Sequence, residues 1–261
     1  MNILIITAHP EPHSFTSNLA ATTTAVFETL GAEVTCVDLY RENFDPVEAA
    51  RYYPDKPDER FDALREQRHH WNTRNLPSDV NHHIRLLTQA DVLILHFPLW
   101  WFGMPAMLKG WMDRVFVYGG VYDSKHRHEQ GVMKNKRALM VVTAGASENA
   151  CSYNGRDGDM QLMLWPAMHA LHYIGFNIAE PFLIHGVRGG LDNDEESVVG
   201  QQITHKLDQL KYKLQKFDQW PDLKFNTQND FTEDMLLKPD AEEYSPFVRH
   251  HRQRWLSRDG S

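Results

Sequence analysis

Five strand-like runs, several of them apolar on nearly every residue, recur along the chain. They are residues 2–7, EVTCVDL at 33–39, DVLILHF at 91–97, RALMVVTA at 137–144 and FNIAEPFLI at 176–184. Between them, at about 14–30, 79–89, 105–117, 159–174 and 193–216, apolar residues repeat at helical spacing. A strand can be apolar on both faces only where both faces are covered, as in a parallel sheet flanked by helices. The alternation predicts a doubly wound α/β domain. Five strands suit the parallel order 2-1-3-4-5, with a ligand at the carboxyl ends of the strands.

Two segments fall outside that pattern. Residues 41–78 are charged and rich in Pro, Arg and His, and read as an insertion after the second strand. Residues 217–261 have little periodicity yet carry Trp220, Phe225, Phe231, Leu236, Phe247 and Trp255. A solvated tail seldom holds so many large apolar groups. The expected organisation is a domain over 1–216 and a C-terminal arm over 217–261, packed on its own domain or on a second subunit.

A net charge of −8 over 261 residues argues against nucleic acid as a partner. Cys36 and Cys151 are too few for a disulfide framework and suit a reducing compartment. The N-terminus lacks the basic segment of a signal peptide. The longest apolar stretch, VLILHFPLWWFGMPAML, is interrupted by His96, Pro98, Gly103 and Pro105, so no membrane span is expected. A cytoplasmic setting follows. The His pairs at 69–70, 82–83 and 250–251, with His126 and His128, lack supporting ligands at sensible spacing, and no metal site is expected.

The chemistry concentrates in three loops that the predicted topology brings to one sheet edge. The first strand ends at Ala8-His9-Pro10, and Ser14 precedes a helix, so the helix start can accept a phosphate. No Gly-x-Gly-x-x-Gly turn or P-loop is present, and the donors would be His9, Ser14 and the amides around Phe15 and Thr16. The third strand ends at Phe97, since Pro98 cannot continue a ladder. Leu99, Trp100, Trp101 and Phe102 then follow in a loop. They read either as core or interface, or as a platform for a flat aromatic ligand. After the fourth strand, Thr143, Ala144 and Gly145 are small enough for backbone N–H groups to approach a ligand. Together the three loops suit a flavin nucleotide.

Four motifs carry a resemblance: AHPEPHSF (8–15), FPLWWFGMPAMLKGWMDRVF (97–116), the Thr-Ala-Gly turn (143–145) and GDMQLMLWPAMHALHYIGF (158–176). On them the chain resembles the NAD(P)H:quinone oxidoreductase (DT-diaphorase) family of flavodoxin-like flavoproteins. LKFNTQNDFTEDMLLKP (223–239) resembles the C-terminal segment of its FAD-binding branch more weakly. The resemblance implies FAD, with FMN the lesser expectation, and NADH or NADPH as donor. It implies a homodimer with interfacial sites, and two-electron hydride transfer to a quinone by a ping-pong mechanism.

It also implies roles. His9, Ser14, Phe15 and Thr16 meet the pyrophosphate and ribityl region. Pro98, Leu99, Trp101 and Phe102 line the ring, and Thr143 and Gly145 touch its polar edge. Tyr122 falls where a neighbouring subunit contributes a tyrosine to the acceptor pocket, with His126 and His128 just after it. Where the vertebrate members place a Tyr and a His for hydride transfer, this chain has Cys151 and Asp157, with Tyr153 two residues away. The proton-transfer group is therefore open among Tyr122, Tyr153 and Asp157. That departure motivates a second reading, a flavin-binding ancillary or regulatory subunit of a membrane transport system with incidental redox activity.

Overall fold

The computed structural model describes residues 1–55, 60–188 and 193–251, with the backbone alone for 193–199. The chain divides into two compact units, Met1–Pro221 and Asp222–Ser261. In the first, β1 (Asn2–Thr7), β2 (Glu33–Asp38), β3 (Val92–Pro98), β4 (Arg137–Thr143) and β5 (Asn177–Ile178) form a sheet in the order β2-β1-β3-β4-β5. Every pairing is parallel. The doubly wound arrangement expected from the alternation is present.

One difference lies at the last strand. The run 176–184 is not continuous: β5 ends at Ile178, and β6 (Phe182–Ile184) pairs separately with β4 further along. Pro181 lies in the gap, where its missing N–H cannot serve a ladder. A second difference concerns Pro98, which is the last residue of β3 and sits opposite Thr143. Successive residues of a strand direct their backbone groups to opposite neighbours. The His96 carbonyl accepts from Ala8 N–H on the β1 side, and Leu99 N–H donates to Thr143 on the β4 side. Pro98 therefore presents its missing N–H where β1 has already ended.

Helices cover both faces. On one, α1 (Phe15–Thr29) packs against α6 (Asn193–Leu214). Ile3, Ile5, Val92, Ile94, Leu139 and Val141 face them, joined by Phe27, Leu210, Phe217 and Trp220. Leu4, Ile6, Leu93, Leu95 and Met140 point the other way and are equally buried. Burial on both faces is why these strands read as unbroken apolar runs.

Between β2 and β3 the segment 41–78 holds a short 3-10 turn (Ala50–Tyr52) and α2 (Ala63–Asn72), before α3 (Ser78–Gln89). It is locked down by α4 (Ala106–Val115). Gly110 lets the chain pass so closely that a Cβ there would lie 2.1 Å from the Pro46 carbonyl oxygen. The buried Arg114 donates through Nη1 to Asp45 O (2.8 Å) and Asp79 Oδ2 (2.7 Å), and its guanidinium stacks on Tyr52 at 4.0 Å. Gln67 on α2 accepts from Tyr118 N–H. The fifth helix of the domain, α5 (Met160–Tyr173), starts at Asp159, whose side chain accepts from the Gln161 and Leu162 amides.

The second unit closes on itself. Thr227 and Asp230 form a capping box. Asn226 Nδ2 donates to Glu242 O (2.7 Å), and Arg249 pairs with Glu243 (3.2 Å). Trp255 lies outside the described residues.

Candidate active site

β1, β3 and β4 finish at one edge of the sheet, and the loops leaving them carry the expected residues. After β1, His9 Nδ1 accepts from the Glu11 N–H at 3.0 Å. Nδ1 also lies 3.2 Å from Glu11 O, so the turn engages this nitrogen and leaves Nε2 outside it. Ser14 is the N-cap of α1: its Oγ accepts from Ser17 N–H at 3.1 Å and lies 2.9 Å from Ser17 Oγ. That hydroxyl is thus committed first to the helix. The Phe15 and Thr16 amides belong to the first turn, which has no intrahelical acceptors for them. Thr16 Oγ1 meets Thr143 Oγ1 at 3.1 Å in a buried contact, tying the start of α1 to the end of β4.

After β3 the chain makes a two-residue hairpin. Trp100 N–H donates to Gly103 O (2.9 Å), and Gly103 N–H donates to Trp100 O (3.1 Å). Trp101 (φ 50) and Phe102 (φ 62) occupy the central positions. Two consecutive positive φ values mark a type I′ turn, which normally carries Asn-Gly. Bulky residues in the left-handed region cost about 1–3 kcal/mol each. Trp101 is 96% exposed and Phe102 60%. Trp100 instead leans on the His9 ring, with centroids 5.9 Å apart.

A hollow of about 290 Å³ opens beside this turn. Leu99, Trp101 and Phe102 line it together with Ala144, Gly145 and Ala146. Cys151, Asp157 and Met163 complete it. A Cβ on Gly145 would meet only Val187 O, at 3.6 Å, so that wall is open to close approach. Cys151 is buried, and burial first, with the Asp157 charge second, pushes its thiol pKa up. Arg188 Nε donates to Gly145 O from outside the lining, at 3.2 Å.

The other sequence candidates lie apart from the lining. Tyr153 is 86% exposed. The half-buried Tyr122 packs on Tyr118 (5.3 Å) and Tyr173 (5.7 Å); burial first, then these two phenols, raise its pKa. His126 Nδ1 lies 2.8 Å from Asp123 Oδ2. His128 packs among His169, His172 and Tyr173. Among the described residues, no group of three or more His, Cys, Asp or Glu could hold a metal. No described helix is long and apolar enough to cross a membrane. Met163, which the sequence analysis did not single out, also lines the hollow. Its signal was its place in the first turn of α5, directly after the loop that follows β4.

A parallel sheet in this order with its site at the carboxyl edge defines a flavodoxin-like protein. The family described as having a Flavodoxin-like fold matches residues 1–207, and the chain belongs to it. NAD(P)H dehydrogenase [quinone] 1 of Cavia porcellus is 36% identical over 187 residues, which is 70% of this chain and 68% of that protein. The human ribosyldihydronicotinamide dehydrogenase [quinone] is 35% identical over 182 residues, 69% and 79% of the two chains. A Klebsiella pneumoniae protein assigned as a quinone reductase superposes with a TM-score of 0.82 at 28% identity, covering 92% of this chain and 94% of its own. Among these relatives the chain is an oxidoreductase.

The family implies a flavin, and the residues fit one. The turn holds two aromatic side chains exposed at the cost of backbone strain, and the same hollow is lined by small residues that admit close approach to backbone amides.

Proposed function

We propose that the protein is a flavin-dependent NAD(P)H oxidoreductase that passes two electrons, as hydride, to quinones or similar electrophiles by a ping-pong mechanism. The observation that carries this reading is the exposed, strained Trp101-Phe102 turn at the carboxyl end of β3. Exposed aromatics in a conformation they disfavour are expected where a flat ligand covers them.

Bound flavin supplies the hydride chemistry. The chain's part is to hold and orient. Leu99, Trp101 and Phe102 line the ring from one side, with Pro98 at the base of the turn. The Thr143, Ala144 and Gly145 segment presents amides to its polar edge, a fixed field for negative charge. His9 Nε2–H and the Phe15 and Thr16 amides face a phosphate, and their number suits a pyrophosphate and so FAD over FMN. Ser14 supports the same group by fixing the helix start. Tyr122, whose phenol pKa burial raises further, serves the acceptor pocket of a neighbouring subunit in a homodimer, with His126 and His128 just after it in the chain. Tyr153 and Asp157 are further candidates on the same protomer. A cytoplasmic setting agrees with the two unpaired cysteines. The alternative of a transport ancillary subunit gains nothing from relatives named as dehydrogenases.

Heat release of the cofactor followed by chromatography should give FAD. Double-reciprocal plots of initial rate against NAD(P)H at several quinone concentrations should be parallel. Released FMN would correct the cofactor. Intersecting lines would remove the ping-pong step. A colourless protein that takes up no flavin would overturn the reading.

A further inference from the structure

We infer that Asp157 gives the acceptor site a charge preference: cationic electron acceptors are favoured over anionic ones of the same size. This rests on the proposed function, with the flavin ring on the Trp101 turn and the Gly145 segment and the acceptor entering on the Cys151–Asp157 side of the same hollow.

Among the described residues lining that hollow, Asp157 is the one that carries a charge; the others are apolar side chains, small residues and the Cys151 thiol. The carboxylate is held in place through its backbone. Asp157 N–H donates to Ala150 O at 2.9 Å, and Met160 N–H donates to Cys151 O at 3.1 Å. Gly155 lets this loop fold back so tightly that a Cβ there would lie 2.3 Å from the Ala150 and Asn149 carbonyl oxygens. The loop's backbone is closed on itself, which fixes where the exposed Asp157 side chain leaves the chain.

The exposed Trp101 and Phe102 line the same hollow, and the quadrupoles of their rings attract cations. A carboxylate and two aromatic faces on one cavity attract positive charge and repel negative charge. The field reaches the interior: the Asp157 charge acts on the Cys151 thiol, adding to burial in keeping it protonated. Two basic residues adjoin the site, Arg156 in sequence and Arg188 through its Nε on Gly145 O, but neither lines the hollow.

Cys151 makes the potential measurable without turnover. In a Cys36→Ser background it is the sole thiol of the chain. Its rate of modification by a trimethylammonium-bearing methanethiosulfonate is compared with that by a sulfonate-bearing one, each normalised to a free thiol. The cationic reagent should be favoured. Asp157→Asn should lower the cation-to-anion ratio by about 3–10-fold at low salt, as for loss of one partly screened charge nearby. Asp157→Glu should keep the ratio, and 0.5 M salt, where screening is shorter than about 10 Å, should compress it. In the flavin-loaded protein, kcat/KM for a trimethylammonium-bearing and a sulfonated naphthoquinone should shift the same way. Turnover with both ratios unchanged in Asp157→Asn would overturn this inference alone. Absence of turnover with any acceptor would overturn the proposed function, and this inference with it.

Discussion

His9 shows how one side chain serves both the turn and a ligand. Its Nδ1 accepts from Glu11 N–H and fixes the ring, and the Trp100 ring leans on it. The remaining nitrogen is left outside the turn for a ligand at the start of α1. His9→Ala should weaken flavin binding by about 1.5–3 kcal/mol, the range for a hydrogen bond to a charged group. Titration of the apoprotein measures this, and equal affinity in both proteins would reject the phosphate role. Much of this turn was legible in the sequence, because a His-Pro stop and a Ser cap have few meanings between a buried strand and a helix. Ser14 was legible as a cap and as a phosphate donor, and the structure gives its oxygen to Ser17 N–H. The rest of the hollow was less legible. Cys151, Asp157 and Met163 meet there through a folded loop with no periodic pattern to read.

At the scale of elements, the hairpin Trp100–Gly103 has a testable energetic consequence. Replacing Trp101-Phe102 by Asn-Gly, the residues a type I′ turn prefers, should raise the melting temperature of the flavin-free protein. The strain relieved is about 1–3 kcal/mol per residue. The same variant should lose flavin affinity by an order of magnitude or more. An unchanged flavin affinity would separate the turn from the cofactor. The exposed Trp-Phe pair was visible in the sequence, but not its turn type, since bulky residues rarely take it.

The helix α2 was missed for a different reason. Its buried side chains include Glu66, Gln67 and His70, so burial there follows polar residues and leaves no apolar period. The runs of β1, β3 and β4 were legible because both faces of the sheet are covered there. The break between β5 and β6 could have been read from Pro181.

Buried histidines predict a pH dependence of stability. Burial lowers the pKa of His83 and His172 to about 4 and of His96 to about 3. In the unfolded chain these titrate near 6.5. As pH falls below 6.5 the unfolded state binds more protons than the native one, so native stability drops until the folded pKa values are passed. Denaturant midpoints should therefore rise between about pH 4 and pH 6.5. His172→Gln should make that rise shallower. An identical slope in wild type and variant would remove His172 from the account.

For the whole molecule, assembly is the open consequence of surface chemistry. Trp101, Phe102, Met235, Leu236 and Phe247 are all at least half exposed on the chain taken alone. Apolar exposure on each unit, Trp101 and Phe102 in the first and Met235, Leu236 and Phe247 in the second, marks interaction surfaces, and a symmetric dimer is the commonest arrangement. Sedimentation at micromolar concentration should give a homodimer. A monomer with flavin bound and full activity would contradict it.

In the proposed function this site takes hydride from a nicotinamide and hands it to a separate acceptor. Anaerobic stopped-flow observation of the two halves tests it most directly. NADH or NADPH added alone should bleach the bound flavin near 450 nm (roughly the usual flavin band), with the oxidised nicotinamide released. A quinone added afterwards should restore the full absorbance without further nicotinamide. A flavin that NADH and NADPH both fail to bleach, or that a quinone fails to reoxidise, would contradict the account.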